Sequence, residues 1–410
     1  MGNQKKRKWT VFFIIKSVGG SIKEAIRMIN EIRSLEMRDS VSIILCMNFL
    51  RENLDAVLQG DETLVNDEIE NPTPTTIFFN LIAENDIGKP FLNRLDIIGE
   101  NSKFDITNPD FLEEYFRTKI LARYKAKHYL LFTWDHGRAY GVFEDFEPIE
   151  GLQADGVKIL HEKTRILTME ELNTAIFYAF RKRKIDVLVM MNCFVQFIDA
   201  GYALRRSLKY FVAPQTSIDF RGYNYVFIFC LLLNNPKISP KELAKAVVKS
   251  FSSKVYVNRQ EGINLKKHTS IFATDLQYYS FLAKQIDKLV DTLLPMFPEV
   301  KLLIKKLKEE CICIPGKNLI DFYSFITALE ANGLLKTNTL STSMVLSLKE
   351  LIILESHIGE SLEFPFTGLS IFFPNAMPIP THEIDGFDDF FKTEFIQKTK
   401  WLSLIKATIN

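Results

Sequence analysis

Two residues of this sequence have the chemistry of a nucleophile and its base. Cys193 lies two residues after a mainly apolar run at Ile185–Met191, and His136 lies two residues after a second apolar run at residues 129–134. A thiolate is a strong nucleophile, and an imidazole within hydrogen-bond reach can take the thiol proton and later protonate a leaving amine. Gly137 has no side chain, so its backbone N–H can approach a developing oxyanion, with the Cys193 N–H as second donor.

The two apolar runs predict the elements that would bring these residues together. Both lack the polar alternation of a half-exposed strand, which is typical of parallel strands buried on both faces. Parallel strands end at the same edge of an open α/β sheet, where ligand crevices form. His136 and Cys193 can therefore face one crevice. We also expect a helix immediately after Cys193, whose N-terminal dipole would favour the thiolate.

The residues alone leave a second interpretation open. Free cysteines are among the most buried residues, so Cys193 could be a small core residue and His136 a hydrogen-bonded loop residue. The other histidines and the Cys311-Ile312-Cys313 pair lack the spacing of metal ligands, so we expect no metal site. An odd number of cysteines, five, excludes a complete disulfide framework.

Composition narrows the class of protein. A chain of 410 residues with 47% hydrophobic and 25% charged content can bury one large core and a second domain. The formal net charge of +1 provides no field for nucleic acid or membrane, and we expect neither as a partner. No run is long enough for a membrane-spanning helix, and no signal-peptide pattern is present. As the sequence stands we expect a cytoplasmic protein, or a secreted one if a leader has been removed.

The order of elements predicts an α/β fold. Strands at 9–15 and 41–49 with a helix between them form a βαβ unit, whose crossover is right-handed. We expect a catalytic core at residues 1–230. Residues 231–410 are expected to form a helical subdomain that also returns a strand, at about 367–374, to the core.

Seven short segments of the chain together carry a family resemblance. They are residues 8–11, 129–137, 167–172, the run from Cys193 to Leu204, and residues 212–225, 367–374 and 395–401. In this order they resemble the clostripain-like cysteine peptidases, relatives of the caspases, gingipains and legumains. The resemblance implies a caspase-like α/β/α sandwich with a mainly parallel central sheet.

The resemblance also implies an activity. It is the hydrolysis of peptide bonds by a Cys193/His136 dyad through an acyl-enzyme, with Gly137 and Cys193 as oxyanion donors. The partner would be a protein or peptide substrate and the protein a monomer. No cofactor is expected, although calcium is required in part of the family.

The chain departs from the family at the residues that would select the substrate. Met191 stands where the family has an aspartate that selects arginine or lysine at P1. With Met191, Ala213, Pro214 and Gln215 as the substrate-binding residues, we expect an apolar or small P1 residue instead. An alternative is that Arg221 supplies a cation for an acidic P1 residue.

Further departures allow a different function. Asn192 replaces the small residue that precedes the nucleophile, and Val18-Gly19-Gly20 replaces an acidic first turn. The alternative is therefore a catalytically impaired pseudoenzyme or protein-interaction module with the same fold. Some relatives cleave themselves between the histidine and the cysteine, but cleavage after Lys158 or Lys163 would need the Arg/Lys preference that Met191 removes.

Overall fold

A computed structural model describes residues 7–18, 21–66, 69, 74–83, 92–151, 159–181, 183–220, 222–260, 269–297, 299–314, 318–335, 340–358, 366–375 and 390–409. Gly19, Gly20, Lys158 and Arg221, on which expectations above depend, lie outside these residues.

Nine strands form the central sheet. They are β1 (Arg7–Lys16), β2 (Val41–Leu50), β3 (Pro74–Ala83), β4 (Asn93–Asn101), β5 (Ala126–Trp134), β9 (Ile185–Met191), β10 (Leu208–Pro214), β11 (Thr269–Asp275) and β14 (Ile352–Ile358). Their order is β14-β11-β10-β9-β5-β1-β2-β3-β4. The five central strands, from β10 to β2, are mutually parallel, and antiparallel pairs flank them on both sides. The predicted parallel core is confirmed.

Six further strands form two three-stranded antiparallel sheets. One contains β6 (Gly137–Arg138), β7 (Gly141–Gly151) and β8 (Ile159–Thr168), and the other contains β12 (Cys313–Ile314), β13 (Leu319–Asp321) and β15 (Ser370–Phe372). The strand predicted near 367–374 is therefore present, but it pairs with β13 instead of joining the central sheet. A single bridge from Ser370 to Phe197 connects it to the segment after β9. The division into two domains stays a prediction.

Helices cover both faces of the central sheet. They are α1 (Ile22–Arg33), α2 (Leu54–Gln59), α3 (Pro109–Glu114), α4 (Met169–Phe180), α5 (Ile198–Leu204), α6 (Tyr225–Asn234), α7 (Pro240–Gln260), α8 (Tyr279–Leu293), α9 (Lys301–Glu310), α10 (Phe322–Ala331), α11 (Leu340–Leu351), α12 (Glu394–Lys398) and α13 (Trp401–Ile409). A π-helical turn at Tyr115–Leu121 continues α3.

Alternating side chains of each central strand feed two separate cores. On β1, Val11 and Phe13 contact the core covered by α1, α2, α6 and α7, whereas Phe12 and Ile14 contact the core on the opposite face. The second core contains side chains from α4, α5, α8 and the C-terminal helices. This alternation follows from the two-residue period of a strand and produces the α/β/α sandwich.

Candidate active site

The register of β5 and β9 decides where His136 and Cys193 lie. The two strands are adjacent and parallel, and their last paired residues are Trp134 and Met191. His136 and Cys193 each lie two residues beyond that pair, so they leave the same edge of the sheet at the same level. The His136 ring is exposed and Cys193 is half-buried, so both are open to solvent at this edge.

Gly137 brings the histidine loop into contact with the backbone of Cys193. A Cβ atom at Gly137 would lie 2.7 Å from each of the Cys193 amide nitrogen, the Cys193 carbonyl oxygen and the Asn192 Cβ. Real side chains do not approach so closely, so only glycine fits between the two loops. The residue type that we predicted for an oxyanion site is thus required here by packing.

The segment after Cys193 differs from the expected helix. Helix α5 begins only at Ile198, so Cys193 does not lie at a helix N-terminus and the predicted dipole effect is wrong. The backbone N–H groups of Phe194 and Gln196 instead donate to the carbonyls of Thr216 and Pro214, at 3.0 Å each. These bonds hold the segment beside the end of β10, and Phe194 turns with a φ of +63°.

The connection between β10 and α6 partly covers the thiol. The Ile218 N–H donates to the Cys193 Sγ at 3.4 Å, and the thiol lies 3.7 Å from the Ile218 carbonyl oxygen, which accepts from it. Two residues later, the Phe220 ring meets the His136 ring edge-to-face, with centroids 5.1 Å apart. One loop therefore contacts both candidate catalytic residues. Neither Ile218 nor Phe220 is singled out by the sequence analysis. The only signal for them is that they lie in the 212–225 segment, which resembles the family.

Comparison with known proteins identifies the family of this chain. The model of the clostripain family matches residues 92–407, which is more than three quarters of the chain. The chain belongs to the clostripain family of cysteine peptidases. No curated protein sequence matches it.

Solved structures show the same fold at low sequence identity. A secreted cysteine protease from Bacteroides thetaiotaomicron, called iotapain, is 15% identical, with a TM-score of 0.65, and the match covers 96% of this chain and 100% of the other. An inactive zymogen from Parabacteroides distasonis is 14% identical, with a TM-score of 0.62 and coverages of 96% and 99%. A complex of a secreted Bacteroides thetaiotaomicron protease with an irreversible peptide inhibitor is 15% identical, with the same TM-score and coverages.

In this member of the clostripain family, Met191 is enclosed by protein. Its side chain is only 1% exposed, and a Cβ at Gly222 would lie 2.0 Å from the Met191 sulfur. The absence of a side chain at Gly222 therefore creates the space that the thioether fills. Sequence reasoning missed this role of Gly222, because nothing in the chain indicates which residue faces Met191.

The other three residues predicted to bind substrate are also buried. Ala213 and Pro214 end β10 and Gln215 follows it, and all three residues are buried. The Gln215 amide nitrogen donates to Asp321 at 2.9 Å and to Ser370 at 3.1 Å, and its oxygen accepts from the Gly368 N–H at 2.8 Å. Gln215 thus links the loop over Cys193 to the C-terminal half of the chain.

Two kinds of feature were sought among the described residues, a cluster of metal ligands and a membrane-spanning helix. In this part of the chain no three His, Cys, Asp or Glu side chains converge to hold a metal ion. None of the helices that the structure describes combines the length and the apolar composition needed to cross a membrane. That the protein works without a cofactor stays a prediction.

Proposed function

We propose that this peptidase cleaves peptide bonds with Cys193 as nucleophile and His136 as general acid and base. The observation that carries the proposal is the shared level of the two residues, each two positions beyond the Trp134–Met191 pair. Adjacent strands at the same level bring side chains within reach of a common substrate, which is the geometric requirement for a nucleophile and its base.

The reaction proceeds in two halves. His136 takes the thiol proton, and the Cys193 sulfur attacks the carbonyl carbon of the scissile bond. The N–H groups of Gly137 and Cys193 stabilise the oxyanion, and His136 protonates the leaving amine as the C–N bond breaks. A water molecule, deprotonated by His136, then hydrolyses the thioester and releases the free thiol.

The specificity follows from Met191. An arginine or lysine at P1 would place a cation beside a buried thioether, with no carboxylate at that position to neutralise it, and an unpaired buried charge is costly. The Met191 side chain also fills the space beside Gly222. We therefore propose a small or apolar P1 residue for the substrate.

A series of irreversible peptidyl probes that differ only in P1 tests both parts. Probes with Ala or Leu at P1 should label Cys193, and probes with Arg should label it weakly. His136→Ala should slow labelling by about 100-fold or more, the lower range of a general acid–base contribution, and Cys193→Ala should abolish it. Cys230→Ala is the matched control, because Cys230 is a second half-buried free cysteine, on α6.

The outcomes separate the alternatives. If no P1 class labels Cys193, the protein is the catalytically impaired relative, and the covering of the thiol by Ile218 would be its working state. Strong labelling by the Arg probe would disprove the role of Met191. The exposed Asp219, on the loop between β10 and α6, would then be the next candidate to bind the P1 cation.

A further inference from the structure

Asn192 connects the loop of the candidate base to the strand of the candidate nucleophile. Its side chain is fully buried. Its amide nitrogen donates to the carbonyl oxygens of Asp135 at 3.1 Å and His136 at 2.9 Å, and its oxygen accepts from the Thr133 hydroxyl at 2.6 Å. All three partners belong to β5 or to the loop that follows it.

These side-chain bonds connect β5 and β9 beyond the last pair of their backbone ladder. Thr133 pairs with Met190 and Trp134 with Met191, and there the backbone ladder ends. Asn192 is the residue after Met191, and its side-chain amide donates to the carbonyls of the two residues that follow β5, Asp135 and His136. The histidine loop is therefore held to β9 one step past the last backbone pair.

Close packing restricts the same loop from a second direction. The space at Gly137 is limited by the Asn192 Cβ as well as by the Cys193 backbone, each 2.7 Å from where a Cβ would lie. The loop can neither move toward Cys193, because of this contact, nor away from it without breaking the two donated bonds. A small residue at position 192 could provide the packing but not the donors.

We propose that Asn192 is a positioning residue that sets the place of His136 relative to Cys193. The proposal rests on the dyad proposed above. Asn192 bonds to the backbone of the histidine loop and not to the imidazole, so it acts on the reaction only through the placement of His136. The family that this chain resembles has a small residue at this position. The side-chain connection between the two loops gives a physical reason for the asparagine here.

The isosteric change Asn192→Asp isolates the donated bonds. The aspartate can still accept from Thr133, but it offers the carbonyls of Asp135 and His136 at most one donor, the O–H of a protonated carboxyl, where the amide offers two N–H groups. Because a displacement of about 1 Å can reduce a rate by about 100-fold, we expect kcat to fall by about that factor while KM changes by less than about threefold. Thr133→Val, which removes only the accepted bond, should reduce kcat by about tenfold or less.

A second readout separates positioning from a loss of stability. The ratio of the alkylation rates of Cys193 by iodoacetamide at pH 6 and pH 9 reports whether a base is beside the thiol, since an isolated thiol reacts poorly at low pH. The ratio should fall in Asn192→Asp and in His136→Ala. Asn224→Asp is the control, because Asn224 caps α6 and its replacement preserves the cap.

The outcomes distinguish this proposal from the dyad itself. If His136→Ala reduces kcat and the alkylation ratio while Asn192→Asp and Thr133→Val leave both within twofold, the dyad stands and the role of Asn192 is wrong. That role is equally wrong if Asn192→Asp lowers only the melting temperature. If His136→Ala changes neither quantity, the dyad fails first and Asn192 has no base to position.

Discussion

Two buried amides lie at the same edge of the central sheet, and they hold different parts of the molecule. Asn192 follows β9, and among the described residues its side chain bonds to the neighbouring strand β5 and its loop. Gln215 follows β10 and bonds to Asp321, Ser370 and Gly368, more than 100 residues further along the chain. The first amide holds the loop of His136 to the strand that precedes Cys193. The second fixes the loop that covers the thiol to the C-terminal half.

The difference predicts that catalysis and stability depend on different sites of one edge. Losing the Asn192 bonds should displace His136 while most of the core stays intact. Losing the Gln215 bonds should leave Asp321, a fully buried carboxylate whose pKa burial raises, short of a partner. Substitutions at each site therefore test whether catalysis can be impaired without a loss of stability, and stability without a displacement of His136.

The largest effect is expected at Asp321. Its carboxylate accepts from Gln215, from the Ser324 N–H at 3.0 Å, and from Thr367 through its N–H at 2.8 Å and its hydroxyl at 2.6 Å. Asp321→Ala leaves these donors without their acceptor, and a buried unpaired polar group costs about 1–3 kcal/mol. We expect the free energy of unfolding, measured by urea denaturation, to fall by about 3–5 kcal/mol.

Asp61→Ala is the matched control for this experiment. Asp61 also accepts from a threonine, through the Thr63 N–H at 2.9 Å and its hydroxyl at 2.7 Å, but on the surface. Its replacement should cost about 1 kcal/mol or less. Similar losses for the two variants would show that the buried link between the two halves contributes nothing beyond an exposed cap.

The second effect concerns Gly137, where the two candidate catalytic loops touch. Gly137→Ala puts a methyl group where three atoms lie 2.7 Å away, two of them backbone atoms of Cys193 that cannot rotate aside. The loops must separate, so we expect probe labelling of Cys193 to fall by about 100-fold. Gly99→Ala is the control, because the nearest atom there, at 3.1 Å, is the flexible end of Lys119. Unchanged labelling in Gly137→Ala would mean that the two loops need not touch for reaction.

The framework of the site is predictable from the sequence, for a physical reason. The bounds Ile185–Met191 agree with the predicted strand because a strand buried on both faces is apolar at nearly every position, here at all but Asp186, and this pattern is visible without knowing any neighbour. The common edge for His136 and Cys193 then follows from the parallel direction of their strands. Local pattern and topology are sufficient for both.

What the sequence could not predict depends on contacts between distant segments. The expected helix after Cys193 is wrong because Phe194 and Gln196 bond to the end of β10, a partner that the local pattern does not contain. Asn192 is recognisable as a departure from the family, but its bonds to the histidine loop depend on the register of β5 and β9. Gly222 and Met191 likewise meet only in the folded chain.

The third and smallest effect tests a second link between the two halves, at the helix that follows the nucleophile. Asp199 on α5 is fully buried and accepts from the Thr393 hydroxyl at 2.7 Å, just before α12. Its other oxygen has no hydrogen-bond partner among the described residues. Burial raises the pKa of Asp199 to about 7, and the neighbouring Glu170 carboxyl, whose pKa burial also raises, adds to the effect.

The sign of the pH dependence follows from this raised pKa. The folded protein holds the Asp199 proton more tightly than the unfolded chain does, so the stabilisation is complete below about pH 4, the ordinary value for aspartate, and is lost as the pH rises through about 7. Between pH 5 and pH 7 the free energy of unfolding of the native protein should fall by about 2 kcal/mol relative to Asp199→Asn, since one proton contributes at most about 1.4 kcal/mol per pH unit. The asparagine still accepts from Thr393 but does not titrate.

Asp61→Asn should not reproduce the effect, because hydrogen bonds from Thr63 lower the pKa of Asp61. If the free energy of unfolding changes with pH by the same amount in Asp199→Asn and in the native protein, Asp199 is charged in the folded state. A single hydrogen bond would then be enough for a buried carboxylate at this link, whereas the Asp321 carboxylate has four.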